Sequence, residues 1–141
     1  MKTYVCKICG HISFEVIPER CPVCFAKDSA FSENQDALKS PTDPKNLTES
    51  EKKHIPLLKK SLGEKNVQVK TRVGEIPHVM EENHYITWID FYLDRKFISR
   101  YLLQPRILNP TVEVELKASA GIFYAIENCN LHGKWMGKIE I

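Results

Sequence analysis

The chain has 141 residues, 43% of them hydrophobic, with 20 basic and 18 acidic side chains for a net charge of +2. That length predicts one ordinary domain, or a small domain beside a tiny one. The near-balanced charge, spread along the chain, lacks the basic stripe of a nucleic-acid binder, and no run approaches the roughly 20 apolar residues of a membrane span. The opening Met1-Lys2-Thr3-Tyr4-Val5-Cys6-Lys7 has no apolar core of a signal peptide. The expectation is a cytoplasmic protein with neither nucleic acid nor membrane as partner.

Four of the five cysteines lie early, as Cys6-x2-Cys9 and Cys21-x2-Cys24, with eleven residues between the pairs. Two thiolates at i and i+3 on a tight turn form half a tetrahedron, and a second pair completes it. An odd cysteine count argues against a disulfide framework. A four-sulfur tetrahedron suits zinc or iron equally. Residues 1–37 are too few for a large core and need that metal to fold. His11 follows the first pair and is expected to be an exposed neighbour, since four sulfurs already fill the metal's shell.

Residues 38–46, with two prolines among polar residues, read as a linker. Residues 47–141 read as a second domain. Thr48-Glu49-Ser50-Glu51 fits a capping box, so a short helical turn is expected before His54, stopped by Pro56. Glu51 is expected to serve that cap rather than a metal.

Seven strands follow, at about 55–60, 67–73, 85–93, 97–103, 111–116, 121–128 and 134–141. Val67, Val69 and Val73 share one face, Val112, Val114 and Leu116 oppose Glu113 and Glu115, and Ile122, Tyr124 and Ile126 repeat the alternation. Seven short strands separated by turn signals predict a mainly β fold, an immunoglobulin-like sandwich, with a barrel as the alternative. Trp88, Trp135 and Met80 are expected to pack in its interior.

The remaining candidates are His54, His78, His84, His132 and Cys129. Following the strands up and down in alternation brings the loops that carry all five to one end of the sandwich, where sites are built. Four imidazoles and a thiolate exceed what structural zinc takes. An octahedral iron would keep one position open. In Cys129-Asn130-Leu131-His132 the amides of Leu131 and His132 are placed to donate to the sulfur.

Two resemblances add to this reading. Tyr4-Val5-Cys6-Lys7-Ile8-Cys9-Gly10 and Pro18-Glu19-Arg20-Cys21-Pro22-Val23-Cys24 resemble rubredoxin. With Ala26-Lys27-Asp28-Ser29-Ala30-Phe31 they are most similar to the rubredoxin-like tail of rubrerythrins, which implies one redox-active iron. Where that family usually has Gly after the second pair this chain has Phe25, which keeps zinc open at the four-cysteine site. Lys53-His54-Ile55-Pro56, Pro77-His78-Val79-Met80-Glu81-Glu82-Asn83-His84 and Cys129-Asn130-Leu131-His132-Gly133 resemble superoxide reductase, the neelaredoxin and desulfoferrodoxin family.

The second resemblance implies a sandwich carrying mononuclear iron, with His54, His78, His84 and His132 as nitrogen ligands and Cys129 as the axial sulfur. It implies that Lys53 attracts superoxide and that the reaction is its one-electron reduction to hydrogen peroxide. Re-reduction would pass through the rubredoxin-like iron site, or come from rubredoxin or a similar donor. A homo-oligomer is the expected assembly. Two rival readings remain: superoxide dismutation, distinguished by dioxygen evolution without a donor, and a non-catalytic electron-transfer or zinc-stabilised module, distinguished by its metals.

Overall fold

In the computed structural model, which describes residues 1–141, the chain separates into two compact units, Met1–Leu38 and Lys39–Ile141. In the first, strands β1 (Thr3–Cys6), β2 (Ile12–Phe14) and β3 (Phe31–Glu33) form an antiparallel sheet in the order β2-β1-β3. The register sets Thr3 opposite Phe14 and Cys6 opposite Phe31. Its apolar centre is Cys6, Cys21 and Phe31, with Tyr4, Val23, Ala26 and Ala30 partly buried around them. A centre this small leaves the cysteines to supply the cohesion, which they do once bridged by a metal.

The segment expected as a linker begins with a two-residue strand, β4 (Leu38–Lys39). Helix α1 (Glu49–His54) follows. Seven strands come next: β5 (Pro56–Leu62), β6 (Val67–Val73), β7 (Ile86–Leu93), β8 (Lys96–Leu102), β9 (Thr111–Leu116), β10 (Ile122–Cys129) and β11 (Gly133–Glu140). They form two sheets, β4-β11-β10-β7-β8 and β5-β6-β9, so the sandwich expected from the alternation is the observed fold. Period-2 burial follows the sequence: in β6 Val67, Val69, Thr71 and Val73 are buried and the residues between them are not. The interior gathers Val67, Val69, Val73, Ile89, Phe91, Val112, Val114, Leu116 and Phe123 between the sheets, with Met80 packed against it as expected.

Cys129 closes that interior at the end where α1 and the loops after β6 and β10 meet. Gly74, just past β6, takes φ +89°, and a Cβ there would collide with the carbonyls of Ile76 and Lys53. Glycine therefore lets the loop press onto the end of α1. Gly74 N donates to Ile55 O at 3.3 Å and Glu75 N to Lys52 O at 2.7 Å. These bonds fix the loop carrying His78 against the helix carrying His54.

Candidate metal centres

The first unit brings its four cysteines together: their sulfurs lie within 4.8 Å of one another. Cys9 and Cys21 sulfurs are 3.5 Å apart, and Cys6 and Cys24 sulfurs 3.7 Å. The two turns are near copies. Gly10 N donates to Cys6 O and Phe25 N to Cys21 O, each at 2.9 Å, and Gly10 and Phe25 both take left-handed backbone, φ 79° and 64°. Phenylalanine thus occupies a conformation suited to glycine, and it does so with its ring 73% exposed. Burial pushes the Cys21 thiol up. At Cys24 burial acts the same way, but the Ala26 amide and the neighbouring sulfurs outweigh it and the thiol lies below its ordinary value. His11 corrects the expectation of exposure: it is buried, edge-on to Phe31 with ring centroids 6.4 Å apart, and outside the four-sulfur group.

In the second unit, all five predicted side chains converge. Ring centroids run His54–His78 5.0 Å, His78–His84 4.7 Å, His84–His132 5.1 Å and His132–His54 5.0 Å, a closed square of four imidazoles. The Cys129 sulfur lies 3.6 Å from His78 Nε2 and 3.7 Å from His132 Nδ1. His54 Nδ1 donates to Ser50 O and His78 Nδ1 to Val79 O, both at 2.8 Å. Those bonds put the ring proton on Nδ1 and leave Nε2 of both rings unprotonated. His84 Nε2 is buried with no hydrogen-bond partner. His132 turns the other nitrogen inward, its Nδ1 3.2 Å from His54 Nε2.

An orphaned buried nitrogen, converging ring nitrogens and a buried sulfur are the donors that a cation takes. The donor set fits iron, for which imidazole and thiolate are suitable ligands. Burial lowers the proton affinity of His54 and of His84, and pulls His78 down to about 4, so these rings stay neutral and ready to ligate. Burial raises the Cys129 thiol, while the Leu131 and His132 amides and the Lys39 ammonium act in the opposite direction.

Asn130, inside the Cys129–His132 turn, ties that turn to the His84 loop. Its side chain accepts from Tyr85 N and donates to Asn83 O, both at 3.0 Å. Lys53 is exposed and lines a cavity of about 410 Å³ with Ser50, His54, Ile76, His78 and His132. Glu51 accepts from Thr48 N at 2.8 Å and Thr42 N at 3.1 Å, and Thr48 Oγ1 accepts from Glu51 N. The capping box is therefore complete, and it occupies both carboxylate oxygens.

Sequence reasoning missed three neighbours of this site. Trp135 is buried, but against His54 rather than between the sheets: the rings stack at 4.8 Å and 16°. Its Nε1 donates to His132 O at 3.0 Å. Trp88, on β7, is buried as expected, beneath the Arg100 guanidinium at 3.8 Å. Lys39 Nζ donates to His132 O at 3.2 Å. The Glu127 carboxyl, two residues before Cys129, is buried without a hydrogen-bond partner, and burial raises it well above its ordinary value. Lys39, Glu127 and Trp135 are brought to the site by β4, β10 and β11.

A β-sandwich with four histidines and a cysteine clustered at one end, on a chain that also carries a four-cysteine module, defines a two-centre mononuclear metalloprotein of redox type. Residues 46–138 match the desulfoferrodoxin family, and residues 4–32 match the rubredoxin-like domain of rubrerythrin. The chain belongs to the desulfoferrodoxin family. It is 32% identical over 139 residues to a desulfoferrodoxin of Desulfarculus baarsii, covering 96% of this chain and 94% of that protein. It is 36% identical over 102 residues to a putative superoxide reductase of Methanocaldococcus jannaschii, covering 67% and 86%. Among solved structures, superoxide reductase (neelaredoxin) from Ignicoccus hospitalis superposes with a TM-score of 0.61 at 30% identity, covering 74% of this chain and 94% of that one. The four-cysteine and histidine–cysteine groups match the two iron sites of this family.

Proposed function

We propose that the chain reduces superoxide to hydrogen peroxide in the cavity above the four imidazoles. The observation that carries this reading is the closed square of rings with the Cys129 sulfur against it, beside a cavity whose rim holds Lys53. Each turnover joins one superoxide, one electron and two protons into one hydrogen peroxide. His54, His78, His84, His132 and Cys129 would hold an iron that would supply the electron, and Cys6, Cys9, Cys21 and Cys24 would hold a second one-electron carrier.

The chain's own residues do the rest. Lys53 presents a hydrated point charge at the mouth and draws the anion in. The Ser50 and Val79 carbonyls hold His54 and His78 in one tautomer. Asn130 and the Gly74 turn keep helix α1, the β6–β7 loop and the Cys129–His132 turn in register. Solvent in the open cavity delivers the protons.

The electron donor is a rubredoxin or a protein like it, and the assembly is a homo-oligomer. Five free thiols suit the reducing cytoplasm. The test is anaerobic loading with ferrous iron, then addition of superoxide. We expect about one hydrogen peroxide per superoxide consumed, growth of a sulfur-to-iron absorption band in step, and no dioxygen. Dioxygen evolution in a one-to-one ratio with peroxide would make the protein a dismutase, and an iron-free, zinc-filled second unit would remove the redox reading.

A further inference from the structure

Lys39 is assigned no role by the ligand set, the cavity rim or the motifs. It is the first residue of the second unit, on the edge strand β4 beside β11. Its ammonium makes two contacts, and each leads to a ligand ring. Lys39 Nζ donates to the backbone oxygen of His132 at 3.2 Å, the same oxygen that receives Trp135 Nε1 at 3.0 Å. Nζ also lies 4.8 Å from the centre of the Trp135 ring, which itself stacks on His54 at 4.8 Å. The cation is thus fastened by a carbonyl and an aromatic face, a pairing in which charge and quadrupole attract.

We propose that Lys39 is a positioning and tuning residue for the histidine–cysteine centre: it pins the His132 turn, and its fixed positive charge favours the ferrous over the ferric state. The electrostatic reason is simple. Oxidation adds one positive charge to the centre, and a nearby cation opposes that addition. Lys39 is solvent-exposed, so screening moderates the effect without abolishing it. Lys53 sits at the cavity rim, where the anion arrives; Lys39 acts on the ligand side, through His132 and Trp135. This inference rests on the reading of the cluster as an iron centre.

The test is a redox titration of the full-length iron-loaded protein, following the sulfur-to-iron band. Iron content and the presence of the band in the unaltered protein check the centre itself; the variants check Lys39. Lys39→Met keeps the stem and removes the charge. It should retain the band and shift the ferrous-to-ferric ratio at fixed solution potential roughly three- to tenfold toward ferric, tenfold being about 59 mV for one electron. Lys39→Arg, which restores a cation over an aromatic ring, should recover most of that shift. An unchanged midpoint in Lys39→Met overturns the proposal. So does a Lys39→Arg midpoint displaced as far as that of Lys39→Met, since packing rather than charge would then be at work. If Lys39→Met loads less than one iron in this site, Lys39→Gln, which keeps an N–H for the His132 carbonyl, gives the same comparison. Loss of iron from both would make Lys39 structural and end the tuning role.

Discussion

Phe25 holds a backbone conformation that costs a side chain about 1–2 kcal/mol, and its exposed ring recovers none of that by burial. Phe25→Gly should therefore stabilise the four-cysteine turn by about 1 kcal/mol, less the entropy glycine adds to the unfolded chain. Slower loss of metal from that turn to a chelator would register it; faster loss would show that the ring has a partner. Cys129→Ser keeps the size of the side chain but removes the soft donor. It should abolish the sulfur-to-iron band and most turnover while the sandwich stays folded, as circular dichroism can verify. Lys53→Ile should slow the bimolecular reaction with superoxide several-fold at low salt and flatten its dependence on ionic strength. An equal rate in both proteins at low salt would return Lys53 to the ordinary surface.

At the scale of the elements, α1 is six residues long and too short to persist alone, so its caps and its contact with the Gly74 turn decide whether it forms. Thr48→Ala should cost about 0.5–2 kcal/mol. The Thr48 and Thr42 amides hold the Glu51 carboxyl below its ordinary value of 4.5. Since the folded value is the lower one, its stabilising effect is complete above 4.5 and is lost as pH falls through the folded value. Glu51→Gln should flatten the acid limb of a stability–pH curve and leave the ferric band in place. A shifted band would instead mean that the carboxylate leaves its cap for the iron. The capping box and strand spans were legible in the sequence because caps and period-2 alternation are local. So was the common end of the five predicted ligands, which follows from strand direction alone. Trp135 and Lys39 were not legible. Both are ordinary core or surface residues by type; the pairing of β4 with β11 sets Lys39 beside His132, and the turn before β11 folds Trp135 back onto it. The exposure expected of His11 failed for a related reason: a ligand count says nothing about what covers a spare ring.

For the whole molecule, the chemistry calls for two irons per chain, one in each unit, and elemental analysis after anaerobic purification should find them. Zinc in the four-cysteine site with iron in the other would remove the second electron carrier and leave the reduction of superoxide intact. The metal-free protein should be sensitive to mild acid. Burial lowers the proton affinity of His54, His78 and His84, so the unfolded chain takes up protons first as pH drops. Stability is then full above 6.5 and declines toward the His78 value of about 4, by on the order of 1–3 kcal/mol. Melting curves of the metal-free protein at pH 7 and pH 5 should separate accordingly, whereas equal curves would mean the rings are not gathered before metal arrives.

The ring nitrogens that face away from the cluster have an observable of their own. His54 and His78 each carry a proton on Nδ1, held by a carbonyl within buried rings, whereas His132 points that same nitrogen inward. In a metal-free, nitrogen-15-labelled sample, two imidazole N–H resonances should therefore stand downfield and exchange slowly with solvent at neutral pH. Their presence before any metal is added would mean that the fold chooses the tautomers and that metal capture needs no proton to change nitrogen on either ring. Filling the site with a diamagnetic ion should move both lines while keeping their protons, and the His132 ring alone should respond through its other nitrogen.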